Sequence, residues 1–194
     1  MSELIPESYV TRLDPRAIFG RRAPLQVDLG CGDGSFLASL AAETPDHDFL
    51  GIERLVGRVR TASRKAAKLT NVRILRVETS YAVRYLLPSD SVSVFHLLFP
   101  DPWPKRRHHE RRIFTAKFLE GVVAALAPGG CLRIATDQSD YFEQIERLAQ
   151  GSGRLRNVPG NGDNPWPPTT FEKRFVTAGA KIYRIELWKI SPVM

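Results

Sequence analysis

A short apolar run, Leu25-Gln26-Val27-Asp28-Leu29, stops at Gly30-Cys31-Gly32-Asp33-Gly34 and gives way to a helical pattern from Ser35 to about Glu43. Phe36, Leu37 and Leu40 share one face of that helix. A strand that turns through glycines into a helix is half of a strand-helix-strand unit, and the alternation continues downstream. His47 to Glu53 reads as a strand, and Leu55 to Leu69 as an amphipathic helix. That helix has Val56, Val59, Ala62, Ala66 and Leu69 on one side and Arg58, Arg60, Arg64, Lys65 and Lys68 on most of the other. Strands are expected again at Val72 to Val77 and Ser91 to Phe99, the latter apolar enough to be buried on both faces. A helix is expected from Ile113 to Leu126, stopped by Pro128-Gly129-Gly130. A strand at Cys131 to Thr136 and a helix at Asp140 to Gln150 complete the alternation. Strands separated by helices imply a mostly parallel sheet wound on both faces. Lys181 to Ile190 differs: its long alternating run suits an antiparallel C-terminal edge strand. Between them, Arg154 to Lys173 is rich in Gly, Asn, Pro and Trp and is expected to be an irregular functional loop.

With 194 residues, 43% of them hydrophobic, the chain suits one domain over 1–194 with a short N-terminal extension of about 1–23. Two cysteines, Cys31 and Cys131, are too few for a disulfide framework or a metal cage. The start of the chain carries no secretory pattern and no apolar stretch is long enough for a membrane span, so a cytoplasmic protein is expected. The formal charge of +7 favours a polyanionic partner.

The glycine turn is shared by several nucleotide folds, but two details favour S-adenosylmethionine (SAM). Asp28 precedes the glycines at the strand end, where a carboxylate can meet the methionyl ammonium. The spacing of Gly30, Gly32 and Gly34 also departs from the dinucleotide fingerprint. Glu53 ends the second strand, where an acid can accept both ribose hydroxyls, and Glu78 ends the third, where one can receive the adenine amino group. Cys31 reads as a packing residue.

Phe99-Pro100-Asp101-Pro102-Trp103-Pro104 follows the fourth strand and leads into Lys105-Arg106-Arg107-His108-His109-Glu110-Arg111-Arg112. Prolines on both sides fix Asp101 at the mouth of the crevice, where its carboxylate can accept from the N1-H and amino group of a guanine. Trp103 offers a stacking face for a base drawn out of its neighbours. The run that follows has five Lys or Arg against one Glu, and its position beside Asp101 favours phosphate contact. His108 and His109 have no spaced carboxylate or Cys beside them, so no metal is expected.

These residues resemble the signature of the bacterial single-chain tRNA (guanine-N7)-methyltransferase family. The likeness extends to Ala135-Thr136-Asp137 and Thr169-Thr170-Phe171-Glu172-Lys173-Arg174, and covers most of the chain from Val27 onward. It implies a Rossmann-like SAM-dependent methyltransferase fold and methylation of guanine N7 in tRNA, at guanosine 46 of the variable loop. It further implies SAM binding by Asp28, Gly30, Gly32, Glu53, Glu78 and Asp101, with Asp101 catalytic. Substrate contacts are implied for Lys105, Asp137, Thr169, Thr170, Phe171 and Glu172. Asp28 stands where the family usually has Glu, and Glu78 where it usually has Asp; both exchanges keep the charge. A SAM-dependent enzyme acting on a small molecule or protein, and a noncatalytic RNA-binding subunit, are the alternative readings.

Overall fold

The computed structural model describes residues 2–157 and 166–190. The chain runs through β1 (Glu3–Leu4), α1 (Pro15–Phe19), β2 (Leu25–Leu29), α2 (Ser35–Glu43), β3 (Asp48–Glu53), α3 (Val56–Lys65) and β4 (Val72–Arg76). A helical turn, α4 (Thr79–Tyr81), continues as a π-helical turn over Ala82–Leu86 and leads to β5 (Val92–Leu98). A 3-10 segment at Arg106–Arg111 precedes α5 (Ala116–Ala125), β6 (Leu126–Thr136), α6 (Ser139–Ser152), β7 (Leu155–Asn157), α7 (Thr170–Thr177) and β8 (Tyr183–Lys189). The strands form one sheet in the order β1-β4-β3-β2-β5-β6-β8-β7. All pairings up to β6 are parallel, and β8 pairs antiparallel with both β6 and β7.

Side chains alternate across the sheet, so each face has its own core. Val27, Ile52, Leu75, Phe95, Leu97, Leu132 and Ile134 point to one face, where they meet the π-helical turn, α5 and α6. Phe49, Val72 and Ile74 point to the other, against Phe36, Leu37 and Leu40 of α2 and Val59 and Ala62 of α3. The N-terminal segment touches the rest of the domain at two points. Ile74 N–H donates to Ser2 O at 2.7 Å, Leu13 N–H donates to Leu86 O at 2.8 Å, and the Leu13 side chain is buried.

Two local expectations are corrected. The strand expected from Cys131 begins at Leu126, directly after α5: Leu126 pairs with Val92, and a register shift lets Cys131 pair with Val94. Pro128 and Gly129 sit exposed in that irregularity, with Gly129 at φ 71°, so they bulge the strand rather than delay it. The stretch Arg154 to Lys173 is also more regular than expected. It opens with β7 and closes in α7, whose cap Thr169 accepts from Glu172 N–H at 2.9 Å. Residues 158–165 of that stretch lie outside the described residues. No helix among the described residues is long and apolar enough to cross a membrane.

The turn after β2 places Gly30, Gly32 and Gly34 at φ 84°, 57° and 73°. Gly34 carries a second constraint, because a Cβ there would lie 2.7 Å from Ala62 Cβ and 2.8 Å from Ala62 Cα. This glycine is where α2 and α3 pack together. Gly34→Ala therefore combines a left-handed residue with an overpacked contact and should lower unfolding stability by about 2–4 kcal/mol. Gly20→Ala, at φ 71° with nothing within 4 Å, should lose only the conformational part. Urea denaturation of both variants checks this, and equal losses would show that the Ala62 contact is unimportant.

Candidate active site

The strand order reverses at β2: β3 and β4 lie to one side and β5 and β6 to the other. At such a point the crossovers leave in opposite directions, opening a crevice beyond the carboxyl ends of the two central strands. The glycine turn leaves β2 on one side of that crevice, and the Pro100-Asp101-Pro102-Trp103 loop leaves β5 on the other. The turn is held to the neighbouring strand, since Gly30 and Cys31 N–H both donate to Ile52 O at 2.9 Å.

Asp28 and Glu53 are both buried, at 4% exposure each, on the α2 and α3 face of the sheet. Their surroundings differ. Glu53 Oε1 accepts from the N–H groups of Arg54 and Leu55 at 2.8 and 2.9 Å, and Arg58 stands 3.8 Å from Oε2. Asp28 has no comparable support among the described residues. Burial, and then the nearby Glu53 charge, push its carboxyl up to about 7. The Cys31 thiol beside them is raised well above its ordinary range, by burial first and then by Asp28 and Glu53. Cys31 is thus a neutral packing group.

Glu78 is exposed and caps α4: its two carboxylate oxygens accept from Ser80 N–H at 2.9 Å and Tyr81 N–H at 2.7 Å. It therefore stabilises its own helix while following the end of β4, the strand next to that of Glu53. Asp33 is committed elsewhere, to Ser35 and Lys65.

Across the crevice, Asp101 is exposed, and its loop is bracketed by two non-glycine residues in left-handed conformation, Phe99 at φ 52° and Trp103 at φ 44°. Such conformations cost of order 1–3 kcal/mol each and persist only where surrounding contacts hold them. Phe99 N–H donates to Ala135 O at 2.8 Å, which fixes the loop to the end of β6, where Asp137 follows. The Phe99 ring lies 5.4 Å from Phe175 of α7. These contacts tie the start of the Asp101 loop to the end of β6 and to helix α7. Asp137 accepts from the Gln138 amide at 2.7 Å. In α7, Thr169 and Glu172 are buried, with Glu172 paired to Arg184, while Thr170 and Phe171 are exposed. Glu172 Oε2 is buried without a partner among the described residues.

The basic run is not uniform. Lys105, Arg106, Arg107 and Arg111 are exposed, but Arg112 is 2% exposed. The Arg111 guanidinium lies over Trp103 at 5.1 Å and His108 meets its edge at 6.0 Å, so one face of the expected stacking surface is covered by the chain itself. Sequence reasoning missed the partners of Arg112: Asp140, Tyr141 and Gln144. Their signal was an i, i+4 polar pair flanking an aromatic at the start of α6, which carries meaning only once a buried cation is known to face it. Among the described residues no cluster of His, Cys, Asp and Glu is placed to hold a metal ion.

Comparison with known proteins agrees with this architecture. Among solved structures, the 16S rRNA methyltransferase KamB superposes with a TM-score of 0.64 at 17% identity, covering 91% of this chain and 92% of that one. A SAM-dependent methyltransferase from Aquifex aeolicus superposes with a TM-score of 0.60 at 17% identity, covering 94% and 92%. The fold is thus the Rossmann-like one of SAM-dependent methyltransferases. A family model described as "Putative methyltransferase" matches residues 22–185. The tRNA (guanine-N(7)-)-methyltransferase of Halorhodospira halophila is 37% identical over 97% of this chain and 83% of its own length. The enzyme of that name from Leifsonia xyli is 38% identical over 90% and 80%. By sequence, fold and the loop that follows β5, the chain belongs to the tRNA (guanine-N(7)-)-methyltransferase family.

Proposed function

We propose that this protein transfers a methyl group from SAM to N7 of a guanine in tRNA, with guanosine 46 of the variable loop as the target. The observation that carries the reading is the switch-point arrangement: a glycine turn follows β2, a buried acid pair sits at the ends of β2 and β3, and the loop with the exposed Asp101 follows β5 on the other side of β2. Relatives at 37% and 38% identity named for this reaction support the substrate.

The residues present fit SAM. Asp28 is a buried carboxylate without a cationic partner among the described residues, suited to an ammonium group. Glu53 Oε2, which faces Arg58 at 3.8 Å but accepts no hydrogen bond among the described residues, can accept from ribose hydroxyls. The backbone of Gly30 and Gly32 admits close approach, and Glu78 adds a carboxylate just beyond the end of β4. SAM supplies an electrophilic methyl group when bound. Guanine N7 carries an in-plane lone pair, so no residue has to remove a proton before transfer. Asp101 accordingly acts by orienting the guanine through its N1-H and amino group, and by offsetting the positive charge that develops on the purine. Lys105, Asp137, Thr169, Thr170, Phe171 and Glu172 are assigned to the substrate side, and the exposed Arg106 and Arg107 to tRNA phosphates. Incubation with labelled SAM and bulk tRNA, followed by digestion to nucleosides, tests the reading. N7-methylguanosine is expected, and absence of transfer would overturn it.

The Asp28 assignment has a pH signature. With its carboxyl raised to about 7, the protein alone holds a proton there below neutrality, and accepting an ammonium group requires that proton to leave. SAM affinity should therefore fall by up to about tenfold per pH unit as pH drops below 7, and level off above it. The sign for folding is opposite. A raised carboxyl favours the folded state at low pH, and this contribution is lost as pH rises from about 4 through 7. Calorimetric titration with SAM between pH 5.5 and 8 should show the slope in the wild type and not in Asp28→Asn. A flat wild-type profile would take Asp28 out of contact with the ammonium.

Asp101→Asn retains one acceptor but loses the charge. Its single-turnover rate at saturating SAM should fall by about 100-fold or more. A rate close to wild type would contradict the electrostatic role.

A further inference from the structure

Arg112 ends the densest cationic run of the chain, yet it does not share the exposure of that run. Its side chain is 1% exposed and all three guanidinium nitrogens have partners. Nε donates to Pro102 O at 2.8 Å, one terminal nitrogen to Gln144 Oε1 at 2.9 Å, and the other to Asp140 Oδ2. The guanidinium carbon lies over the Tyr141 ring, 4.6 Å from its centroid. Tyr141 and Gln144 in turn grip the backbone of Phe114: Phe114 N–H donates to the Tyr141 hydroxyl at 3.1 Å, and the Gln144 amide donates to Phe114 O at 3.2 Å.

Pro100, Pro102 and Pro104 have no N–H groups, which leaves the loop around Asp101 few backbone donors with which to hold itself. Its conformation is costly at both ends, where Phe99 and Trp103 are left-handed. Pro102 O, one residue beyond Asp101, is held by Arg112. We propose that Arg112 is a positioning residue for methyl transfer, clamping the Asp101 loop to the start of α6 so that Asp101 and the β6 end face the crevice together. This rests on the function proposed above. The side chain reaches no phosphate, because it is 1% exposed and each of its nitrogens is engaged inside the protein. A planar fork is needed to reach a carbonyl, an amide and a carboxylate at once from above the Tyr141 ring, which a lysine ammonium cannot reproduce.

The experiment compares wild type, Arg112→Lys, Arg112→Met and the double variant Arg106→Ala/Arg107→Ala. Single-turnover transfer at saturating SAM and bulk tRNA, tRNA affinity over a salt series, and hydrogen exchange of the segment from Phe99 to Lys105 are measured for each. Misplacement of Asp101 predicts that both Arg112 variants lose about tenfold to a hundredfold in rate. Their tRNA affinity should stay within about threefold of wild type, with the same salt slope. Exchange should quicken in Phe99 to Lys105 but not in β2 or β5. The double variant should do the reverse, losing tRNA affinity and salt slope with normal exchange. A wild-type rate in Arg112→Lys, or a loss confined to tRNA affinity with a flatter slope, would make Arg112 an ordinary cationic contact and overturn the proposal. Quickened exchange throughout the sheet in both Arg112 variants would equally overturn it, as general destabilisation. If the wild-type protein transfers no methyl group to tRNA, the functional reading fails. The exchange arm then still decides whether Arg112 holds the loop.

Discussion

Parallel pairing on both edges of β2 buries all five of its residues, and the rest of the molecule is arranged around that burial. A strand enclosed on four sides can carry a polar group only where a neighbour satisfies it or where the sheet opens. The reversal of strand order beside β2 provides the opening, and only at its carboxyl end. The glycine turn, the acid at position 28 and the proline-bound loop across the crevice are therefore consequences of one topological fact. Helices α2 and α3 on one face and α5 and α6 on the other seal everything else.

The polar groups on the α2 face of the sheet illustrate the rule. Gln26 accepts from the buried His96 ring at 2.9 Å and reaches His47 at 2.7 Å, so a side-chain relay crosses three neighbouring segments. Burial, then the charge on Arg133, push His96 down to about 3, which leaves the ring neutral. Two residues along β2 from Gln26, Asp28 has no such relay and is left with a like-charged neighbour. The contrast between a satisfied amide and an unsatisfied carboxylate on one strand distinguishes structural polarity from a position suited to a cationic ligand.

Much of this was legible in the residues. Apolar runs alternating with amphipathic helices located the central strands to within a residue or two, and the alternating run near the C-terminus gave the antiparallel partner of β6. Local composition misled where tertiary pairing outweighed it. Pro128-Gly129-Gly130 has the chemistry of a stop but sits inside a bulged strand, because Leu126 already pairs with β5. Thr169 to Glu172 looked irregular beside so many prolines, although Thr169 is a helix cap with an acid three residues on. Arg112 was indistinguishable from Arg111 in sequence. The two part only because consecutive residues leave the 3-10 segment in different directions, one over Trp103 and the other over Tyr141. Charge density can be counted along a chain, but which charges are free to meet a partner is decided by packing.

Phe99 and Trp103 have a consequence for how this protein responds to selection. Each holds a side chain in backbone space that glycine or asparagine occupies more readily, so a gain in thermal tolerance is open at both edges of the Asp101 loop. Glycine at 99 would also delete the ring that meets Phe175, uncoupling α7 from the loop. A population screened for heat resistance alone would drift toward sturdier proteins with a slack crevice, whereas one screened for turnover would keep both awkward residues. Evolutionary trajectories under the two pressures should therefore diverge first at these two positions.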